Sequence, residues 1–351
     1  MQNKLQYFKF YSNCKFVKGV SRSTICDLQY GEIHIFPNDL EPLINAINKG
    51  LPISEIKKKL NDDGVEKFLN FFCESNLGFY TELPHLFPEL EEKWEYPGLI
   101  SNAIIDFDNN SNHPLNKIVI ELENVGCQHV QLRFFNSVDN ITLKNVLSMF
   151  KDCSILSIDL VLIYSDQYTK SYLKDLYVIN PRISSIGLFN YKTDKVDYNL
   201  PFVLAYFKRK IVDETSCGLI TEKHFSSNIK LFYESLKFNS CLNKKISIDR
   251  LGNIKNCPSM KNSYGNIHES SIITAANQIE SNIEVKITKS KIKVCNVCEF
   301  RMVCTDCRAY VEDTNDSLSK PLKCGYNPYE NKWENWSENK TKQEIFKKYI
   351  R

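Results

Sequence analysis

Residues 155–164 read ILSIDLVLIY, a short run of Ile, Leu and Val interrupted only by Ser157 and Asp159. A run of this length and composition predicts a strand, and its nearly continuous apolarity predicts a parallel strand buried on both faces. The same pattern continues on either side. AIIDF (103–107), HVQLRFF (129–135), ISSIGLF (183–189) and PFVLAYF (201–207) read as further strands. Between them PLNKIVIELENVG (114–126), TLKNVLSMFK (142–151) and SYLKDLYVI (171–179) read as helices. Alternation at this spacing predicts an α/β fold with right-handed crossovers, a parallel sheet or partial β/α barrel over residues 100–212. With about five strands in view, a complete eight-stranded barrel is not expected.

Upstream, FKFYS (8–12), CKFVKG (14–19), STICDLQY (23–30) and EIHIF (32–36) are short β-branched and aromatic runs broken by Gly19 and Gly31. Helices are expected near 38–48, 53–61 and 64–76, with Gly78 as the stop of the last. These elements predict a winged-helix-like unit over residues 1–82. The proline-punctuated stretch LPHLFPELEEKWEYP (83–97) reads as an extended linker, assigned here to residues 83–99.

The 351 residues carry 45 basic and 42 acidic side chains, a net charge of +3, so charge does not suggest a nucleic-acid partner. No apolar run is long enough to span a bilayer, and Met1 to Lys18 is too polar for a signal peptide, which points to the cytoplasm and to no membrane partner. In a reducing compartment 13 cysteines argue for metal or redox use rather than disulfides. Cys14, Cys26, Cys73, Cys127 and Cys153 are scattered singly and read as small buried hydrophobes. The other eight crowd between Cys217 and Cys324, which sets off residues 213–330 as a cysteine-rich domain. The basic tail KTKQEIFKKYIR (340–351) reads as a solvated end helix within residues 331–351.

The eight are Cys217, then Cys241-x10-Gly252-x4-Cys257, then Cys295-x2-Cys298-x5-Cys304-x2-Cys307, then Cys324. C-x2-C sets two thiolates on one tight turn, and KISIDRLGNIKNC (245–257) reads as a hairpin, with Gly252 at the turn, that brings Cys241 and Cys257 side by side. Eight thiols suffice for two four-thiolate sites. Zinc is the rival metal, although the five residues between the two C-x2-C pairs are fewer than a zinc ribbon uses.

This cysteine pattern resembles the SPASM domain of peptide-maturing radical-SAM proteins, whose central run ends in C-x3-C where this chain has C-x2-C. NSCLNKKISIDRLGNIKNCPSM (239–260) and CNVCEFRMVCTDCRAY (295–310) resemble more closely the SPASM-domain maturase of grasp-with-spasm systems. The resemblance implies two 4Fe-4S clusters held in interleaved fashion. Cys241, Cys257 and Cys307 would bind the first, with Cys217 as candidate fourth ligand, and Cys295, Cys298, Cys304 and Cys324 the second. It also implies an ATP-grasp ligase as partner and a ribosomally made precursor peptide as substrate. The N-terminal unit resembles the PqqD-like element that holds a leader peptide by strand addition. That reading puts the receiving edge at Ser23 to Leu28, with Ser23, Ile25 and Asp27 contacting the peptide and the helix near Val65 to Phe72 facing it.

The radical-SAM signature C-x3-C-x2-C is absent. The loop where the resemblance would place it, DFDNNSNHP (106–114), has no cysteine, so S-adenosylmethionine is not expected as a cofactor. Cys127 and Cys153 do not substitute for it, His113 reads as a loop residue, and Asp106 and Asp108 read as solvated loop aspartates. No Gly-rich phosphate loop, Ser-His-Asp spacing or H-E-x-x-H occurs. Three functions stay open: a maturation protein with auxiliary clusters, a redox enzyme working at an incompletely ligated cluster, and a zinc-stabilised adaptor.

Overall fold

A computed structural model of the chain describes residues 5–61 and 64–350. The first elements are β1 (Tyr7–Phe10), β2 (Cys14–Lys18), β3 (Arg22–Asp27), β4 (Ile33–Pro37), α1 (Glu41–Asn48), α2 (Ile53–Leu60), α3 (Val65–Glu74) and β5 (Gly78–Thr81). β1 pairs antiparallel with β5, and β2, β3 and β4 form an antiparallel sheet in that order. The three helices bury Leu43, Ile44, Ile56 and Leu69 against Phe8, Phe10, Ile25 and Phe36, with Phe72 at the centre of the aromatic packing. The residue that turns the chain after α3 is Asn76, at φ 54°. Gly78 lies inside β5 instead of stopping the helix.

Two expectations about this unit change. β3 is the middle strand, hydrogen-bonded on both sides, so Ser23 to Leu28 offers no free edge. Ser23, Ile25 and Asp27 are 1%, 1% and 2% exposed and already have partners. The Ser23 hydroxyl donates to Asn38 Oδ1 at 2.6 Å. Ile25 sits in the helix-backed core. Asp27 Oδ1 accepts from the backbone amides of Gln29 and Tyr30 and from Asn13 Nδ2. Burial on both faces is what a central strand experiences, and these three side chains are spent on the fold.

The second series runs β6 (Asn102–Phe107), α4 (Leu115–Asn124), β7 (His129–Phe134), α5 (Asn140–Met149), β8 (Ser157–Ile163), α6 (Lys170–Ile179), β9 (Ile183–Phe189), β10 (Lys195–Asp197) and β11 (Val203–Tyr206). After it come α7 (Ile229–Lys237), β12 (Lys245–Ile248), β13 (Ile254–Lys255), α8 (Ile272–Glu280), β14 (Tyr326–Asn327), β15 (Lys332–Trp333) and α9 (Lys340–Lys347). One eight-stranded sheet has the order β10-β11-β9-β8-β7-β6-β12-β13, parallel throughout except for the antiparallel pair at each end. Among the described residues, then, the protein is a mixed α/β structure with nine α-helices around a large, mostly parallel sheet.

The strands are not buried on both faces along their whole length. Along β8 burial alternates: Ile158, Leu160 and Leu162 are buried in one core with Ile118, Leu122, Leu147 and Leu176 of the helices, while Ser157, Asp159, Val161 and Ile163 are half-exposed. Successive right-handed crossovers in one direction put all three helices on the same face, which leaves the other without helical cover. The sheet also crosses the boundary expected at residue 213. β12 pairs parallel with β6, from Lys245 opposite Asn102 to Ile248 opposite Ile105, so the hairpin of the cysteine-rich region is part of the main sheet. α7 and α8 were not expected, although Asn228 and Ser271 cap them through their side chains. The end helix forms, but it is not wholly solvated, because Ile345, Phe346 and Tyr349 pack on Tyr310 and Leu322. No helix among the described residues is long and apolar enough to cross a membrane.

Candidate metal centre

Cys241 and Cys257 flank the β12–β13 hairpin, whose turn contains Gly252 at φ 84°. Two buried asparagines fix this frame. Asn239 Oδ1 accepts from the amides of Cys241 and Leu242 at 3.0 Å. Asn256 Nδ2 donates to the carbonyls of Leu242 (2.9 Å) and Lys245 (2.8 Å), tying the Cys241 turn to the strand that leads into Cys257. Cys217 follows a turn capped by Asp213, and its carbonyl accepts from Lys323 Nζ at 2.8 Å. The next residue, Gly218, has φ 82°, and a Cβ there would stand 2.8 Å from Cys307 Sγ. Glycine is thus required both by the backbone and by the room the thiol takes.

These four thiols are electrostatic neighbours. The Cys257 thiol is pushed up to about 12, first by burial and then by Cys217 and Cys241. Cys307 is raised well above the ordinary thiol value, by burial and then by Cys241, Cys217 and Cys257. Lys245 Nζ lies 3.6 Å from Cys241 Sγ. Burial opposes the charge on Lys245, but Cys241, Cys257 and Cys217 outweigh it and raise its pKa. Arg133 stands behind, its pKa raised against burial by Asp106 and, more weakly, by Cys217 and Cys257. Asp106 is therefore no solvated loop aspartate. It is fully buried and forms a two-armed pair with Arg133, at 2.6 Å to each oxygen. Asp108 is ion-paired with Arg250 at 3.1 Å, and His113 Nε2 lies 2.8 Å from the Asp106 carbonyl.

The remaining four cysteines gather separately and line one cavity with Ile220, Phe300 and Tyr326. Cys295 opens a 3-10 turn in which the Cys298 amide donates to the Cys295 carbonyl at 3.0 Å. The Cys304 amide donates to Phe300, and Cys324 arrives from an isolated parallel bridge to Ile220. Cys304 is raised far above the usual range by burial and, with buried Lys289 opposing, by Cys324, Cys295 and Cys298. Cys298 is pushed up to about 12, mainly by burial. Lys289 Nζ donates to the Cys304 carbonyl. Between the quartets Asp306 accepts from Asn239 (2.6 Å) and Arg308 (2.7 Å), so one buried carboxylate links the Cys241 turn to the C-x2-C run.

All 13 cysteines are free thiols. Among the described residues no three Cys, His, Asp or Glu side chains converge tightly enough to hold one metal ion. What the quartets offer is four sulfur donors each with cations close by, and at the second a cavity lined largely by apolar side chains. That donor chemistry fits an anionic thiolate-ligated group larger than a single ion, whose negative charge Lys245 and Arg133 would offset at the first quartet and Lys289 and Arg308 at the second. Of the scattered cysteines, Cys14, Cys26, Cys127 and Cys153 are buried and Cys73 is half-buried.

Comparison with protein-family models finds none that matches the chain, and no curated protein matches it.

Proposed function

We propose that the chain is a maturation protein for a ribosomally synthesised peptide, with two 4Fe-4S clusters, one at each cysteine quartet, acting beside an ATP-grasp ligase. The observation that carries this reading is the interleaved partition of the eight thiols. Cys257 and Cys307 each lie in the field of Cys217 and Cys241, Gly218 beside Cys217 abuts the Cys307 sulfur, and Cys295, Cys298, Cys304 and Cys324 line the other cavity. That partition matches the SPASM resemblance. Cys217 standing beside the other three favours full ligation over an open iron, so auxiliary clusters are favoured over a redox enzyme working at an incomplete one. When bound, such clusters supply electron transfer or rigid docking. The mostly parallel sheet is compatible with a shortened radical-SAM-like barrel in this reading, and its loop 106–114 lacks the thiolates that would hold an initiating cluster.

Peptide recognition moves from β3 to β4 in this reading. Among the described residues β4 has no strand on its outer side. Ile35, 47% exposed, lies on it, and Phe71 of α3, 45% exposed, stands 6.2 Å from Phe36. A free edge beside an exposed apolar helix residue suits an added peptide strand.

Iron and acid-labile sulfide in anaerobically purified protein test the cluster assignment. About eight irons per chain are expected, and Cys257→Ala and Cys298→Ala should each lower this to about four while leaving the other cluster's spectrum intact. A colourless protein with stoichiometric zinc, or loss of all iron in both variants, would overturn it.

A further inference from the structure

The N-terminal sheet does more than pack its own helices. On the face opposite Ile25, Val17 and Cys26 enter a second core with Phe300, Met302, Val303, Tyr326 and Cys324. The contact is hydrogen-bonded as well as apolar. The Val20 amide donates to the Val297 carbonyl at 2.9 Å, and Thr24 Oγ1 to the Glu299 carbonyl at 3.0 Å. Arg301 donates to the carbonyls of both Lys18 and Cys298. At Gly19 a Cβ would stand 2.9 Å from Glu299 Cβ and 2.3 Å from the Arg22 carbonyl, so the β2–β3 turn approaches this loop as closely as only glycine allows.

At the centre is Arg22. Its Nε donates to Glu299 Oε1 at 2.6 Å, and its terminal nitrogen to the Tyr326 hydroxyl at 3.0 Å. Tyr326 donates to the same Glu299 oxygen at 2.5 Å. Glu299 is fully buried, its other oxygen has no hydrogen-bond partner, and Arg22 is ion-paired with it at 2.6 Å. Glu299 directly follows Cys298, and Tyr326 lies two residues after Cys324. One guanidinium from the N-terminal unit thereby braces the chain beside two of the four thiols of the second quartet.

We infer that the β2–β3 hairpin buttresses the loop that carries the second thiol quartet, and that Arg22 is a positioning residue that holds Cys298 and Cys324 at their spacing through Glu299 and Tyr326. The residues that look like a separable recognition unit complete a site whose ligands lie nearly three hundred positions away. Lysine cannot replace Arg22, because an ammonium does not span the carboxylate and the phenol as a forked guanidinium does.

The inference rests in part on the cluster reading above, so the test has an arm independent of it. In the metal-free full-length chain, alkylation by N-ethylmaleimide is followed thiol by thiol with mass spectrometry. Arg22→Gln should speed modification of Cys298 and Cys324 about tenfold or more, through local opening, with Cys257 and Cys307 unchanged. In reconstituted protein the same variant should weaken iron retention at the second quartet about 10–100-fold, with the first quartet's spectrum unaltered. Arg22→Gln/Glu299→Gln, which removes both charges, should recover much of the loss, and Arg22→Lys should not. Wild-type alkylation rates in Arg22→Gln would overturn the inference. So would equal acceleration at all eight thiols in both the single and the double variant. If the wild type binds no iron while the selective alkylation pattern holds, the cluster reading fails and the positioning role stands.

Discussion

The two cysteine quartets use the same donors but are assembled in opposite ways. The first draws its thiols from four separate segments, at Cys217, Cys241, Cys257 and Cys307, and is framed by the main sheet. Its hairpin pairs parallel with β6, and the Asp106–Arg133 pair lies behind it at the ends of β6 and β7. The second takes three thiols from residues 295–304, on consecutive tight turns, and adds Cys324 and the backing of the N-terminal hairpin. Long-range topology builds the first quartet, whereas local turns pressed into shape by a distant element build the second. Damage to the sheet should therefore fall on the first quartet, and damage to the loop or to the hairpin on the second.

The largest effect is expected at the base of the first quartet. Asp106→Ala leaves the buried Arg133 guanidinium without its carboxylate, and breaking a buried pair from one side costs about 3–5 kcal/mol. Urea unfolding of the metal-free protein should show this loss. Iron bound at the first quartet should fall while the second quartet, under conditions where the chain stays folded, keeps its own. Unchanged stability, or equal loss at both quartets, would break the comparison.

What the sequence reveals follows the same division. The parallel strands and the helices of residues 100–212 were legible because their apolar spacing is local, with bounds within a few residues of expectation, as with α6 at Lys170–Ile179 against 171–179, whereas the short, polar edge strand β10 was not. The place of β12 was not legible, since nothing in KISI says that it will lie beside a strand begun at Asn102. The exposed face of the sheet was missed for a related reason. Ser157 and Asp159 were the polar alternation within 155–164, and the apolar Val161 and Ile163 on the same face masked it. STICD reads as an edge only until the packing of Thr24 and Cys26 on residues 297–303 is seen, and that contact is non-local. α8 did leave a signal, Ser271 as cap followed by apolar Ile272, Ala275, Ala276 and Ile279 at helical spacing. Spacing alone did not divide the eight thiols, and Asp106 had no sequence mark separating it from a solvated aspartate.

A smaller effect, shared by both quartets, concerns pH. The thiols of Cys257 and Cys298 are raised from 9.0 to about 12, mainly by burial. A folded-state pKa above the unfolded one means that the folded chain holds its protons longer. This stabilisation is complete below about pH 9 and is lost as pH rises from there towards 12, at up to about 1.4 kcal/mol per unit for each thiol. Metal-free protein should therefore weaken in alkaline urea titrations. Thiolate ligation releases those protons, so the loaded protein should gain relative stability over the same window. Cys257→Ala and Cys298→Ala should flatten the metal-free slope to a similar degree. A slope unchanged in either variant would show that its thiol does not share in the effect.

The smallest effect probes how the second loop is shaped. Val294, immediately before Cys295, has φ 68° and ψ −41°, a backbone conformation that a β-branched residue adopts only under constraint. Its surroundings impose it: the Lys293 amide donates to the Leu318 carbonyl at 2.8 Å, and the Asn296 amide to Ile292 at 2.9 Å. Strain of this kind costs about 1–3 kcal/mol, and glycine, which relieves it, costs about 0.5–1 kcal/mol through its freer unfolded chain. Val294 is half-exposed and gives up little packing, so Val294→Gly should stabilise the metal-free protein by about 1 kcal/mol, read as a higher urea midpoint. Val294→Ala, which keeps the Cβ, should bring no gain. Destabilisation by glycine would mean that the loop is held by the valine side chain and not against it, and that the second quartet depends less on imposed geometry than its contacts with the hairpin imply.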